Sequence, residues 1–246
     1  MNENPAVGVW AQIGRQSQGA PLSVAHVCAA VVAGVRVDGA GVTMMASPTA
    51  RDTVHATDRV AGELEEWQLA YGEGPCMDAF AAGGPVLIVD LGSPDCSARW
   101  PAFTPAALDS GAQAVFALPL QIGAIRLGVL DLYRSRPGPL TPPELADALA
   151  YADTAGMLLL DGAASTPPDT ADLAWQRDDP TAHHAQVHQA TGMILAQLGI
   201  SADAAFARLR AYAFAFDRRM GDVASDVVAR RLRFEFDPSP AGHDEM

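Results

Sequence analysis

The sequence predicts an α+β domain on a mainly antiparallel sheet with flanking helices, followed by an all-α bundle of three helices. Strand-like runs joined by short turns alternate with helical runs as far as residue 160, whereas only helical spacing follows residue 180. Between them, residues 161–179 are rich in Pro, Asp, Ser and Thr and show no sustained period, which is typical of a linker. We therefore predict five segments: an N-terminal extension (1–21), the α+β domain (22–160), the linker (161–179), the helical domain (180–236) and a disordered acidic tail (237–246).

Three helices of the α+β domain are predicted from apolar spacing and end signals. Small and apolar residues recur at helical spacing over 22–35. Leu64, Trp67 and Tyr71 share one face of a second helix, which Gly72 ends. Thr141 caps a third helix that has prolines in its first turn and runs to about residue 160.

The strands are predicted in runs rich in apolar and β-branched residues. "GVTMMAS" and "DTVHATD" indicate two strands, and "PVLIVDL" indicates a short buried strand. "AVFALPLQIGAIRLGVLDLYR" predicts a hairpin of two apolar strands that turns at Gly123.

Three amphipathic helices are predicted after the linker. Pro180 begins the first, Gly199 is a left-handed end and Ser201 caps the second. The predicted core faces are, in order, Val187, Thr191, Ile194 and Leu198; then Phe206, Leu209, Ala213 and Phe216; then Val223, Val227 and Val228.

The charge of −13 is unevenly placed along the chain. Residues 1–180 carry a net −12, residues 181–236 a net +2 and the tail a net −3. Because an acidic surface repels polyanions at long range, only the segment 181–236 is suited to a polyanionic partner. The alternative is that its arginines simply solvate the outer faces of helices.

Other sequence features argue against several classes of protein. The N-terminus lacks a basic region followed by an apolar stretch, and no apolar run approaches the roughly 18 residues of a membrane span. The three cysteines have no metal-ligand spacing, and no Ser–His–Asp set, P-loop or GxGxxG turn is present. The expectation is a cytoplasmic protein without membrane contact, enzymatic activity or a metal, and with no cofactor assigned.

The α+β segment resembles a known family. "EEWQLAYGEGPCMDAFAAGGPVLIVDL", followed by "RWPAFTPAALDSGAQAVFALPLQIGAIRLGVLDLYRSRPGPL", is similar to the GAF domain of actinobacterial regulators. The resemblance implies a PAS-like sensory fold that can bind a small molecule.

Four residues of this segment are candidates for the ligand site. Trp67, Trp100 and Phe103 line a pocket in one interpretation and belong to the ordinary core in the other. Cys76 follows a glycine–proline turn at a predicted helix start, where backbone amides lower a thiol pKa, and the alternative is a small buried residue.

The helical segment resembles the ANTAR domain, an RNA-binding module of transcription antitermination. The resemblance rests on "QATGMILAQLG", "SADAAFARLRAYA" and "DRRMGDVASDVV" in this order. In the family, alanines at the positions of Ala190, Ala205 and Ala224 let the helices approach closely. Many members have a lysine before the glycine of the first helix, where this sequence has Thr191 before Gly192.

Six residues are candidates for RNA contact: Gly192, Ala205, Arg208, Tyr212, Arg218 and Arg219. Arg218 and Arg219 lie at the turn between the second and third helices, where they can reach phosphates or stack on bases. Arg208 and Tyr212 are one turn apart on a helix. The alternative makes Tyr212 half core and Arg208 a solvated charge.

Together these features predict a homodimeric, signal-responsive antitermination regulator, in which a GAF sensor controls an ANTAR domain that binds hairpins in nascent RNA. Two alternatives stay open. One is a cysteine-based redox sensor or methionine sulfoxide reductase-like GAF protein. The other is a protein-interaction module without RNA binding.

Overall fold

The computed structural model describes residues 5–46, 51–165, 180–216 and 218–235. The chain divides into two compact units, Met1–Thr181 and Ala182–Met246. The N-terminal unit contains helices α1 (Pro5–Ser17), α2 (Val24–Val35), α3 (Arg59–Tyr71), α4 (Pro75–Ala82), α5 (Pro94–Arg99), α6 (Phe103–Ser110) and α7 (Pro142–Ser165). Its strands are β1 (Gly39–Met45), β2 (Arg51–Ala56), β3 (Val86–Ile88), β4 (Ala114–Ile122) and β5 (Ile125–Arg134).

The five strands form one antiparallel sheet in the order β2-β1-β5-β4-β3. The β4–β5 hairpin turns at Gly123, which has the left-handed φ of +60° that favours glycine in a tight turn. The α+β class, with a mainly antiparallel sheet and flanking helices, is confirmed. β3 differs from its prediction as a buried strand, because it pairs only at the edge of the sheet and Leu87 is exposed.

Strand alternation gives the sheet two different faces. Phe116, Leu118 and Leu130 point to one face and join the core beneath α1, α2 and α7. The opposite face is covered by α3 to α6, and there Val115 and Val129 pack in two smaller clusters. Because β1 and β5 are neighbours, Thr43 and Asp131 also point to this second face, which contains the buried polar groups described below.

The N-terminal extension predicted over 1–21 contains a helix of the core. Val9 and Ile13 of α1 are buried in the same cluster as α2 and α7. Helix α7 begins at the capping pair Thr141 and Glu144 and continues to Ser165, beyond the predicted end near residue 160. The rest of the predicted linker, 166–179, and the tail 237–246 lie outside the described residues.

The C-terminal unit has the three predicted helices: α8 (Pro180–Leu198), α9 (Ala202–Ala215) and α10 (Met220–Val228). Gly199 is left-handed, and the Ser201 side chain accepts a hydrogen bond from the Ala204 N–H, as expected for the end of one helix and the cap of the next. Ala190, Ala205 and Ala224 are fully buried, one on each helix, so small side chains do stand where the helices pack.

Two predicted core residues of this unit are not buried. Phe216 is 61% exposed because α9 ends at Ala215 and the chain leaves the helical face there. Val228 is only partly buried at the last position of α10. The other predicted core residues are buried, including Thr191, whose hydroxyl donates to the Val187 carbonyl at 2.8 Å.

Within the described residues, no single helix is long and apolar enough to cross a membrane. Residues 186–198 and 202–215 meet the length and composition test only as a pair, and they are bent by 109° at their junction.

Gly128 is expected to be essential for the sheet, because a Cβ at this position would run into the Thr43 carbonyl of the neighbouring strand β1. Gly128→Ala should therefore destabilise the chain by on the order of 2–4 kcal/mol or prevent folding. Gly84→Ala is the matched control, since a Cβ there meets nothing within 4 Å. Urea unfolding compares the two, and equal midpoints would contradict the prediction.

Candidate functional site

A group of polar side chains is buried between the sheet and helices α3 and α4. We call it the buried polar cluster and define it as Thr43, Arg51, Glu65, Gln68, Cys76 and Asp131, which come from β1, β2, α3, α4 and β5. Each of the six is at most 5% exposed. Burial of so many polar groups costs free energy unless they form hydrogen bonds or ion pairs with one another.

The cluster exists because one face of α3 is both buried and polar. Glu65 and Gln68 lie on the α3 face that also buries Leu64 and Leu69, and this face packs on the sheet. Gly41 lies directly opposite Asp131 in the β1–β5 register, and a Cβ on Gly41 would collide with the Glu65 carboxylate. Glu65 therefore occupies the space that the missing side chain leaves beside Asp131.

Hydrogen bonds fix one oxygen of each carboxyl group. The Thr43 hydroxyl donates to Glu65 Oε2 at 2.6 Å. Gln68 Nε2 donates to Asp131 Oδ2 at 3.2 Å, while Gln68 Oε1 accepts from the Cys76 N–H at 2.7 Å. Gln68 thus links α3 to the first turn of α4 and to the centre of β5.

Burial controls the ionisation of the cluster. It raises the pKa of Glu65 well above its usual range, and the nearby charge of Asp131 adds to this shift. Burial also raises the pKa of Asp131 to about 6, although hydrogen bonds from Glu65, Cys76 and Gln68 and the charge of Arg51 oppose the shift. At neutral pH, Glu65 is therefore the protonated member that donates to the Asp131 carboxylate.

Cys76 is not the activated thiol that its place at a helix start predicts. It is fully buried, and this burial, reinforced by Asp131 and Glu65, raises its pKa well above the usual range. Loss of hydration outweighs the amides of the first turn of α4. Cys28 is also buried, with a pKa raised to about 12, and Cys96 lies in a third, separate cluster. The three buried thiols are thus packed in different parts of the unit, which disfavours the redox alternative.

The three candidate aromatics lie together in the cluster under α5 and α6. Trp100 and Phe103 are fully buried and meet edge to face, with ring centroids 6.4 Å apart. Trp67 is half-buried, stacks on Tyr71 and donates its indole N–H to Ser110. The structure gives them the packing of core residues, and their role toward a ligand stays a prediction.

Three aromatic rings meet at the end of α9, where Phe216 is exposed and Tyr212 and Phe234 are partly buried. Tyr212 and Phe216 are one helical turn apart with ring centroids at 4.4 Å, and Phe234 meets Tyr212 edge to face at 5.5 Å. The backbone N–H of Phe234 donates to Gln197 of α8, which brings the segment after α10 back against this surface. Tyr212, Phe216 and Phe234 are called the aromatic surface below.

Two arginines that are close in the chain to Phe216 and Phe234 share one carboxylate. Arg218 and Arg231 each bind Asp226 at 2.7 Å, one at each oxygen. The hydrogen bond to Asp226 is the main cause that raises the pKa of Arg218. Two cations around one anion leave a net positive charge beside three aromatic rings.

The remaining candidate RNA contacts are placed differently from one another. Arg208 and Arg219 are exposed on the C-terminal unit, as expected. Gly192 is exposed in the middle of α8, with open space where a Cβ would be. Ala205 is fully buried, so it packs the helices together and does not contact RNA directly in this arrangement.

Comparison with known families bears on the C-terminal unit. A family profile of the ANTAR domain matches residues 181–228, which span α8, α9 and α10. The C-terminal helices are an ANTAR domain. ANTAR domains are RNA-binding modules of antitermination regulators, and the matched residues include Tyr212, Phe216 and Arg218 but end before Arg231 and Phe234.

The N-terminal unit has the GAF-like architecture that the sequence predicts: an antiparallel five-stranded sheet with flanking helices. It is similar to the GAF domain of a phosphoenolpyruvate-protein phosphotransferase from Coxiella burnetii (14% identity, 66% of this chain and 98% of that chain, TM-score 0.49). It is also similar to the GAF domain of the Acinetobacter phosphoenolpyruvate-protein phosphotransferase (9% identity, 66% of this chain and 97% of that chain, TM-score 0.47). A third similar structure is a free methionine-R-sulfoxide reductase from Neisseria meningitidis (16% identity, 68% of this chain and 96% of that chain, TM-score 0.46). No curated protein sequence matches the chain.

Raised carboxyl pKa values make the N-terminal unit more stable in mild acid. The folded unit holds protons on Glu65 and Asp131 at pH values where the unfolded chain has lost them, so stability falls as pH rises through about 6. We expect the unfolding free energy, measured with a chelator present, to rise by on the order of 2 kcal/mol from pH 8 to pH 5.

The variant Asp131→Asn should flatten this dependence, and Asp153→Asn, which changes an exposed aspartate, should leave it intact. Tryptophan fluorescence during urea unfolding provides the measurement. Stability that instead increases toward pH 8 would contradict the assignment of the proton to the cluster.

Proposed function

We propose that the protein is a signal-responsive antitermination regulator, in which the GAF-like unit controls the ability of the ANTAR domain to bind hairpin loops in nascent RNA. The observation that carries the proposal is the aromatic surface with its bordering arginines, on a domain whose family binds RNA. The proposal includes a cytoplasmic location, where a nascent transcript is accessible.

The geometry of the aromatic surface suits unpaired bases. RNA loops are recognised mainly by stacking of splayed bases on aromatic rings and guanidinium planes. Phe216 presents 61% of its surface to solvent at the end of α9, beside Tyr212, and the exposed Arg218 follows it two residues later in the chain. The end of α9 leaves Phe216 exposed, and a base stacked on its ring would bury that apolar surface.

Gly192 supports a second place where the RNA can closely approach the protein, on the surface of α8. A glycine inside an exposed helix costs about 1 kcal/mol relative to alanine, and here no neighbouring group requires it. In this proposal, the sugar–phosphate backbone of the RNA packs against the bare helix surface at Gly192. The acidic N-terminal unit then restricts polyanion binding to the ANTAR domain.

A homodimer completes the proposal. Leu149, Met157 and Leu160 are exposed apolar residues that recur on one face of α7, and such a stripe suits helix pairing between two copies. Two ANTAR domains in one dimer would bind two hairpins of one transcript, and the second contact gains affinity from its effective concentration. A small molecule recognised by the GAF-like unit would provide the signal.

Loss of the aromatic surface is expected to weaken RNA binding in two distinguishable ways. Phe216→Ala should reduce affinity for a labelled hairpin-loop pool by about 10- to 100-fold, because it removes a stacking platform. Arg218→Ala should lower affinity and also reduce the slope of log affinity against log salt by about 1, because it removes one phosphate contact.

Arg136→Ala is the matched control, since it removes an exposed arginine from the N-terminal unit and changes the net charge equally. Fluorescence anisotropy across a salt series measures all three variants. Equal effects of Arg218→Ala and Arg136→Ala would leave the protein-interaction alternative as the better explanation.

Gly192→Ala separates stability from binding. The added methyl group meets no atom within 4 Å, so the variant should fold and gain up to about 1 kcal/mol in stability. RNA affinity should nevertheless fall, because the methyl group keeps the RNA backbone from the helix. Thermal unfolding and anisotropy are measured on the same preparation, and unchanged affinity would remove Gly192 from the interface.

A further inference from the structure

The buried polar cluster contains an arrangement of donor atoms that the regulator proposal does not use. One ligand atom each from Glu65, Cys76 and Asp131 lies within 4.8 Å of the other two, and all three residues are fully buried. Apart from the proton shared between the two carboxyl groups and the Cys76 thiol beside Asp131, Glu65 Oε1 and Asp131 Oδ1 have no hydrogen-bond partner within the described residues. Buried carboxylate oxygens with so few hydrogen-bond partners are costly.

The charge of the group matches a divalent cation. With the thiol and both carboxyl groups ionised, the three side chains and the buried Arg51 guanidinium carry a net −2. A divalent ion would bring the interior to neutrality. The alternative is a single proton shared by the carboxyl pair, in which the Cys76 thiol stays protonated and donates to Asp131.

The donor types indicate which ions fit. One sulfur and two carboxylate oxygens form a mixed set that suits a borderline ion such as Zn²⁺, whereas Mg²⁺ and Ca²⁺ prefer oxygen alone. Zinc ligand atoms in a tetrahedral site lie about 3.5 Å apart, from bond lengths of about 2.0–2.3 Å. Binding of the ion would therefore draw together ligand atoms that already lie within 4.8 Å of one another.

The surrounding residues hold the donors in place. Thr43 fixes the second oxygen of Glu65, Gln68 fixes the second oxygen of Asp131, and the Gln68 carbonyl holds the Cys76 backbone. Partners of this kind orient metal ligands and typically contribute 10- to 100-fold in affinity. Gly41, opposite Asp131, leaves the space that the Glu65 carboxyl fills.

We propose that Glu65, Cys76 and Asp131 bind one divalent transition-metal ion of the zinc class inside the N-terminal unit. The ion joins α3, the first turn of α4 and the centre of β5. The site is independent of RNA binding and does not depend on the proposed function.

Cobalt is the probe that tests this site, because Co²⁺ replaces Zn²⁺ and a thiolate ligand gives it a near-ultraviolet charge-transfer band. Full-length protein is stripped with a chelator, exchanged into buffer and titrated anaerobically with Co²⁺. The expected result is one Co²⁺ per chain with the band, and Zn²⁺ should then displace it. No binding by the wild-type protein, or binding without the band, would overturn the proposal in favour of the shared proton.

The three buried cysteines provide matched variants. Cys76→Ser should abolish the band, whereas Cys28→Ser and Cys96→Ser, which change equally buried thiols in other clusters, should retain it. Gln68→Leu should weaken Co²⁺ binding by about 10- to 100-fold without removing the band. Circular dichroism verifies that each variant folds. A band that persists in Cys76→Ser, or that Cys28→Ser or Cys96→Ser also abolishes, would exclude these ligands.

Discussion

The burial of Glu65 against Asp131 is the constraint that organises the N-terminal unit. Two carboxyl groups in a dry interior repel one another unless a proton or a cation is shared between them. Thr43, Gln68 and Arg51 are positioned to limit that cost, and they come from three different elements. The approach of α3 to the sheet therefore depends on a polar contact as well as on apolar packing.

The two domains use buried small residues for different purposes. In the ANTAR domain, Ala190, Ala205 and Ala224 allow three short helices to pack with little side-chain volume between them. In the GAF-like unit, Gly41 makes room for a carboxyl group and Gly128 for a neighbouring strand. The bundle buries the aromatic ring of Phe206 but leaves Phe216 61% exposed at the end of α9.

Most helices and strands could be predicted from the sequence, because the spacing of apolar residues indicates which face of each element is buried. The burial of Glu65 does not follow from this period, since charged residues normally lie on exposed faces and its partner Asp131 is distant in the chain. One signal was present: Glu65 and Gln68 continue the spacing of Ala61, Leu64 and Leu69. The prediction that Phe216 is buried was wrong for the opposite reason, because the apolar spacing of α9 continues beyond Ala215, where the helix ends. The helix start at Cys76 was predicted correctly, but the complete burial of its thiol depends on residues that are distant in the chain.

Strand β5 has a consequence for how the two faces of the sheet communicate. Asp131 points toward α3 and α4, and its neighbours Leu130 and Leu132 point into the core beneath α7. One rigid strand thus connects the polar interior with the helix whose chain continues toward the ANTAR domain. A rearrangement at Asp131 that moves the β5 backbone also moves Leu130 and Leu132 in the core beneath α7. A change in the polar cluster on one face of the sheet is thereby transmitted to the helix on the other face.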